Sequence, residues 1–134
     1  MSDFDPSNVP IRAAATVMMI DDRPDLQILM MERNANTVFA GGMWVFPGGS
    51  VDKEDDSDAF RAIVNDRSDD HASTLMELER GGLAYYVAAI RESFEEAGLL
   101  LARHQNEGHA LSFAEPAVAE RFEGYRDQVN AGEA

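Results

Sequence analysis

Residues 13–20 (AAATVMMI) and 26–32 (LQILMME) are dense in apolar and β-branched side chains, and Asp21-Asp22-Arg23-Pro24-Asp25 separates them. Proline fixes its own φ and aspartate hydrogen-bonds its local backbone, so this stretch is a turn and the two runs form an antiparallel hairpin. A further short strand is expected over Met43–Phe46, between Gly41-Gly42 and Pro47-Gly48-Gly49. Such glycine pairs mark backbone that bends or is closely approached. From residue 59 the apolar period lengthens. Ala59, Phe60, Ile63 and Val64 suggest one short helix, and Ser73–Glu79 a second. The strongest helical pattern runs over 83–97, where Tyr86, Ala97, Ile90, Leu83, Phe94 and Val87 share an arc of about 100°. Gly98 stands where a left-handed C-terminal cap belongs. Leu99-Leu100-Leu101 reads as another strand. Val118, Phe122, Tyr125 and Val129 mark a last amphipathic helix expected to pack on the sheet.

The opposite face of the 83–97 helix changes the picture. Arg91, Glu95, Glu92 and Glu96 share an arc of about 140°, so three carboxylates accompany one cation. Glu92 and Glu96 repel at i, i+4 by roughly 0.2–0.5 kcal/mol. They also crowd the last turn, where the macrodipole disfavours negative charge by about 0.3–1 kcal/mol. A helix selected only for stability would carry lysine there. A solvated acidic face is the ordinary fate of a charge run, but a hard divalent cation would remove both costs.

Composition narrows the function classes. The chain has 134 residues, 45% hydrophobic, with no cysteine and a net charge of −14. That length suits a single domain. Disulfides, thiolate zinc sites and a cysteine nucleophile are excluded. A pI near 4.4 argues against nucleic acid and against anionic membranes, both of which select basic surfaces. No apolar run approaches membrane-spanning length, and the acidic N-terminus is unlike an export signal. A soluble cytoplasmic protein is expected. A phosphorylated small molecule stays accessible to an acidic chain when divalent cations lie between them.

Arg91-Glu92-Ser93-Phe94-Glu95-Glu96-Ala97-Gly98-Leu99 resembles the core of the Nudix box, R-E-U-x-E-E-x-G-U with U apolar, and Phe46-Pro47-Gly48-Gly49 resembles the strand end that opens the same motif. The likeness covers roughly residues 11–101. It implies an α/β (α+β) fold, a Nudix-like α/β/α sandwich around a mixed sheet. It also implies Mg²⁺ or Mn²⁺ held by Glu92, Glu95 and Glu96 with the Gly49 backbone, one glutamate serving as general base. Arg91 would orient a glutamate, Glu95 lying one turn on, and Arg91, Glu92 and Glu95 would form the catalytic set. Gly48, Arg33 and Phe46 would face substrate. The implied reaction is hydrolysis of a nucleoside diphosphate linked to another moiety, by metal-activated water.

The chain also departs from the family. Ser93 replaces an apolar residue. Gly49 and Arg91 lie 42 positions apart where the family has fourteen, so residues 50–82 are read as an insertion in a single domain spanning 1–134. The glutamate expected eight residues before the arginine is Leu83. The enlarged box and the run Met43–Asp56 resemble a subgroup that cleaves coenzyme A and acyl-coenzyme A, although Val38 and Ala40 stand where many of its bacterial members carry Arg and His. Only 35 residues follow Leu99, fewer than the family's remaining strands and helix need. A C-terminally incomplete domain is expected, whose unpaired sheet edge favours a homodimer or strand exchange. The competing readings are a catalytically silent Nudix-like module binding a nucleotide or a protein, and a metal-free acidic interaction domain.

Other features take plainer readings. The acidic stretch 52–58 is a solvated loop with helix caps rather than a calcium loop. Trp44 and Phe46 suit a core, with stacking on an adenine as the alternative. His71, His104 and His109 are surface residues, and methionines such as Met18, Met19, Met30 and Met31 are packing material.

Overall fold

The computed structural model describes residues 10–35, 41–106 and 108–131. The readings of the N-terminal nine residues and of Val38 and Ala40 lie outside the described residues. The element order is β1 (Ala14–Thr16), β2 (Ile20–Asp21), β3 (Gln27–Ile28), β4 (Met31–Glu32), β5 (Trp44–Val45), β6 (Gly48–Ser50), a 3₁₀ turn (Lys53–Asp56), then α1 (Asp58–Ile63), α2 (Asp69–Leu75), α3 (Gly82–Ala97) and α4 (Pro116–Asn130). The fold is α+β, with every ladder among the described residues antiparallel and two-stranded.

Three of the four expected strands are present, and the first two runs are each shared between two partners. The 13–20 run pairs first with β6, Ala15 opposite Gly49, and then with β3, Ile20 opposite Ile28. The 26–32 run passes in the same way from β2 to β5, Met31 opposite Val45. Single backbone bonds, Val17 N–H to Pro47 O at 2.9 Å and Leu29 N–H to Met19 O at 3.0 Å, bridge the handovers. Each apolar run therefore serves two partners and appears as two short strands. Composition carries no mark of such a handover. The glycine pair expected to end a strand is itself the strand β6, which sets it against β1.

The second short helix begins earlier than its apolar pattern suggests. The Ser68 hydroxyl accepts the His71 N–H at 3.2 Å and opens α2 at Asp69. Past its end, Glu77 turns left-handed at φ 55°. Leu99–Leu101 forms no strand; the nearest pairing is the isolated bridge Arg103–Ala110. An apolar run needs a neighbouring edge as well as composition.

The core is small and centred on α3. Leu83, Ala84, Val87, Ala88 and Phe94 are buried there, joined by Ala72 of α2. Ala84, Ala88 and Ser93 widen the buried stripe beyond the expected arc, because small side chains let α2 and the strands approach closely. Buried Ser93, in the family's apolar position, satisfies its hydroxyl on Ala89 O at 2.7 Å. By contrast Trp44 is 61% exposed and Ile20 63%, while Met18, Met30 and Met43 are also exposed. The core reading of Trp44 and the packing reading of these methionines are corrected: no described element covers them. Val118, Phe122 and Val129 of α4 are half-buried. No described helix is long and apolar enough to cross a membrane.

Candidate functional site

Arg91 is the hub of a polar cluster on the upper face of α3. Its Nε donates to Asp55 Oδ1 at 2.9 Å and its Nη2 to Asp55 Oδ2 at 3.0 Å, a bidentate fork. Nη1 reaches Glu92 Oε1 at 3.1 Å and Glu95 Oε1 at 3.2 Å. Nη2 also donates to Ser50 O at 2.9 Å, fixing the arginine to the end of β6. Asp55 is 1% exposed, and its Oδ2 accepts the Asp52 N–H at 2.8 Å as well. This concentration of carboxylates holds the guanidinium protonated well above its ordinary range, against the opposing effect of burial.

Asp55 is the residue the sequence reading missed. It lies six positions after Gly49, where the family spacing places the glutamate that Leu83 fails to supply eight positions before the arginine. Counting forward from the glycine finds it; counting back from the arginine lands on a core leucine. The 52–58 stretch is therefore not wholly solvated, since Asp55 is buried. The expected caps are present: the Ser57 hydroxyl accepts Phe60 N–H at 3.4 Å.

The glycine pair of β6 closes the other side. Gly48 N–H donates to Glu96 Oε2 at 3.1 Å. A Cβ on Gly49 would collide with the Glu92 carboxylate, so only glycine lets that side chain lie against the strand. Burial there pushes the Glu92 carboxyl above its usual value, with Arg91 partly offsetting. Glu92 and Glu96 thus face Gly48-Gly49, while Arg91 engages Glu92 and Glu95. Arg33 and Phe46 are half-buried. Arg33 is tied to the β4–β5 pair through its backbone, by its N–H to Met43 O at 3.0 Å and by Gly42 N–H to its carbonyl at 2.9 Å. The described contacts bring neither residue to the carboxylates.

Contacts from distant elements hold both ends of α3. At its start, Asp69 Oδ2 accepts Gly81 N–H at 3.0 Å, Asp69 Oδ1 accepts Leu83 N–H at 2.9 Å, and Ser73 Oγ accepts Gly82 N–H at 2.9 Å. At its end, Arg126 of α4 donates to Glu95 O and Glu96 O, each at 2.8 Å. The imidazoles stand apart: His71, His104 and His109 are exposed, the last two with rings 5.1 Å apart.

For a divalent ion the donor chemistry fits. The face offers hard carboxylate oxygens against a strand backbone without side chains, and Mg²⁺ typically takes one or two carboxylates while keeping waters and phosphates. Among the described residues no three acidic or histidine side chains converge as a cage; Glu92 and Glu96 lie against Gly48-Gly49.

No family model matches the chain. Among solved structures it is similar to the crystal structure of a NUDIX hydrolase from Alicyclobacillus acidocaldarius, at 28% identity and a TM-score of 0.57 over 92% of this chain. The alignment takes in 54% of that protein, so the chain spans about half the length of the structure it resembles.

Proposed function

We propose that this chain is a Nudix-type pyrophosphohydrolase, acting with Mg²⁺ or Mn²⁺ on a nucleoside diphosphate linked to another moiety. The observation that carries the reading is the seating of the Glu92 and Glu96 carboxylates on Gly48-Gly49, with Arg91 locked beside them by buried Asp55. The likeness to a solved Nudix hydrolase supports it. Glu92 and Glu96 would hold the ion, with the Gly49 backbone alongside. When bound, it supplies charge neutralisation to the pyrophosphate and a more acidic water. Arg91 positions Glu92 and Glu95. Arg33 and Phe46, at the strand ends, are the proposed substrate contacts. Coenzyme A or acyl-coenzyme A is the proposed substrate class, on the Met43–Asp56 run and the enlarged box.

The test is hydrolysis of coenzyme A, ADP-ribose and nucleoside triphosphates with Mg²⁺ or Mn²⁺. Cleavage of the first with loss in Glu92→Gln is expected; inactivity on all three overturns the enzymatic reading. One observation favours a second reading, a nucleotide-binding module without turnover: Arg91 already engages the carboxylates of both Glu92 and Glu95. Thermal stabilisation by nucleotide without product would select it.

A further inference from the structure

We infer that Arg126, on α4 and far from the acidic face in sequence, is a positioning residue for the carboxylates of α3; this rests on the metal-site reading above. An α-helix ends with four carbonyls lacking intrahelical partners. In α3, Leu99 N–H takes Ser93 O and Gly98 N–H takes Phe94 O, with Gly98 in the left-handed conformation at φ 69° that this cap requires. Of the carbonyls left over, those of Glu95 and Glu96 both accept from the Arg126 guanidinium. The last turn of α3 has no basic residue of its own, although the macrodipole and its glutamates demand a cation there. Arg126 supplies it from outside.

The arrangement does more than join two helices. No residue of α4 is fully buried, and a cavity of about 200 Å³ lies at the α3–α4 junction, lined by Phe94, Phe113 and Phe122 among others. Close packing therefore does not set the register of α4 on α3; the two 2.8 Å bonds do. They end on the backbone of the residues whose side chains reach Arg91 and Gly48. If the turn frays, Glu95 and Glu96 lose their alignment with β6.

The sign of the effect separates positioning from simple charge. Removing a cation near an ion site strengthens cation binding by Coulomb's law, whereas losing a group that orients ligands weakens it by roughly 10–100-fold. The experiment is Mn²⁺ titration of the full chain and of Arg126→Gln and Arg126→Lys, with amide hydrogen exchange at Gly98 and Leu99 measured on the same samples. Expected results for Arg126→Gln are Mn²⁺ binding about tenfold weaker and faster exchange at both amides, with Arg126→Lys in between. Unchanged or tighter Mn²⁺ binding in a folded Arg126→Gln overturns the inference, as does unaltered exchange. Should the unsubstituted chain bind no Mn²⁺, the metal-site reading fails, and with it the positioning role; faster exchange alone would then show a purely structural clamp.

Discussion

Asp55 and Gly49 act on the same cluster by opposite means, one by a strong bond and one by having no side chain. Asp55 is fully buried and spends both oxygens on Arg91, so its loss strands part of a guanidinium held among carboxylates. Breaking a buried charge pair from one side costs about 3–5 kcal/mol. Glu92, Glu95 and Asp52 remain to share the arginine, so Asp55→Ala is expected near the lower end of that range in urea denaturation. A change under 1 kcal/mol would mean that Arg91 does not depend on it. Gly49→Ala should behave differently. The added methyl meets the far end of the Glu92 side chain, which can swing away, so hydrolysis is expected to fall at least tenfold while the urea midpoint scarcely moves. Equal losses in both would place the collision in the backbone instead. The Arg91–Glu96 chemistry was legible from residue types and helical spacing alone. Asp55 was not, because α1 and α2 separate it in sequence from its partner and its burial follows from a 3₁₀ turn that no periodicity announces.

At the scale of elements, α2 braces α3. Asp69 and Ser73 occupy three amides at the start of α3, supplying the capping that Gly81 lacks a side chain to provide. These bonds hold the Asp69 carboxyl below its ordinary range, the Gly81 amide contributing most. A depressed carboxylate stabilises the fold above its unfolded pKa, near 4, and the contribution is lost as pH falls through the folded value. Thermal unfolding from pH 7 to 2.5 should therefore show a steeper acid loss in the unsubstituted chain than in Asp69→Asn, the curves converging at low pH. Parallel curves would show that the cap carries no charge-dependent stability. Helix α3 was readable almost to its bounds because fifteen residues of regular pattern outweigh local noise. The strands were readable in place but not in pairing, since their apolar runs do not record that each changes partner midway.

For the molecule as a whole, surface is the telling quantity. Among the described residues, Ile20, Ile28 and Trp44 leave an exposed apolar strand face, and the short strands leave edges to pair. A second copy of this chain is the expected cover. Light scattering after gel filtration should give twice 14.7 kDa, and Ile28→Lys should lower it; a monomer at all concentrations with an intact far-ultraviolet spectrum contradicts this. The deeper claim is that the acidic flank of α3 exists to hold a divalent ion against β6. Calorimetric titration of the purified chain with Mn²⁺ tests it most directly. One saturable site is expected, weakened at least tenfold in Glu92→Gln and in Glu96→Gln while both variants stay folded; the absence of binding, or the same affinity in all three proteins, would contradict it.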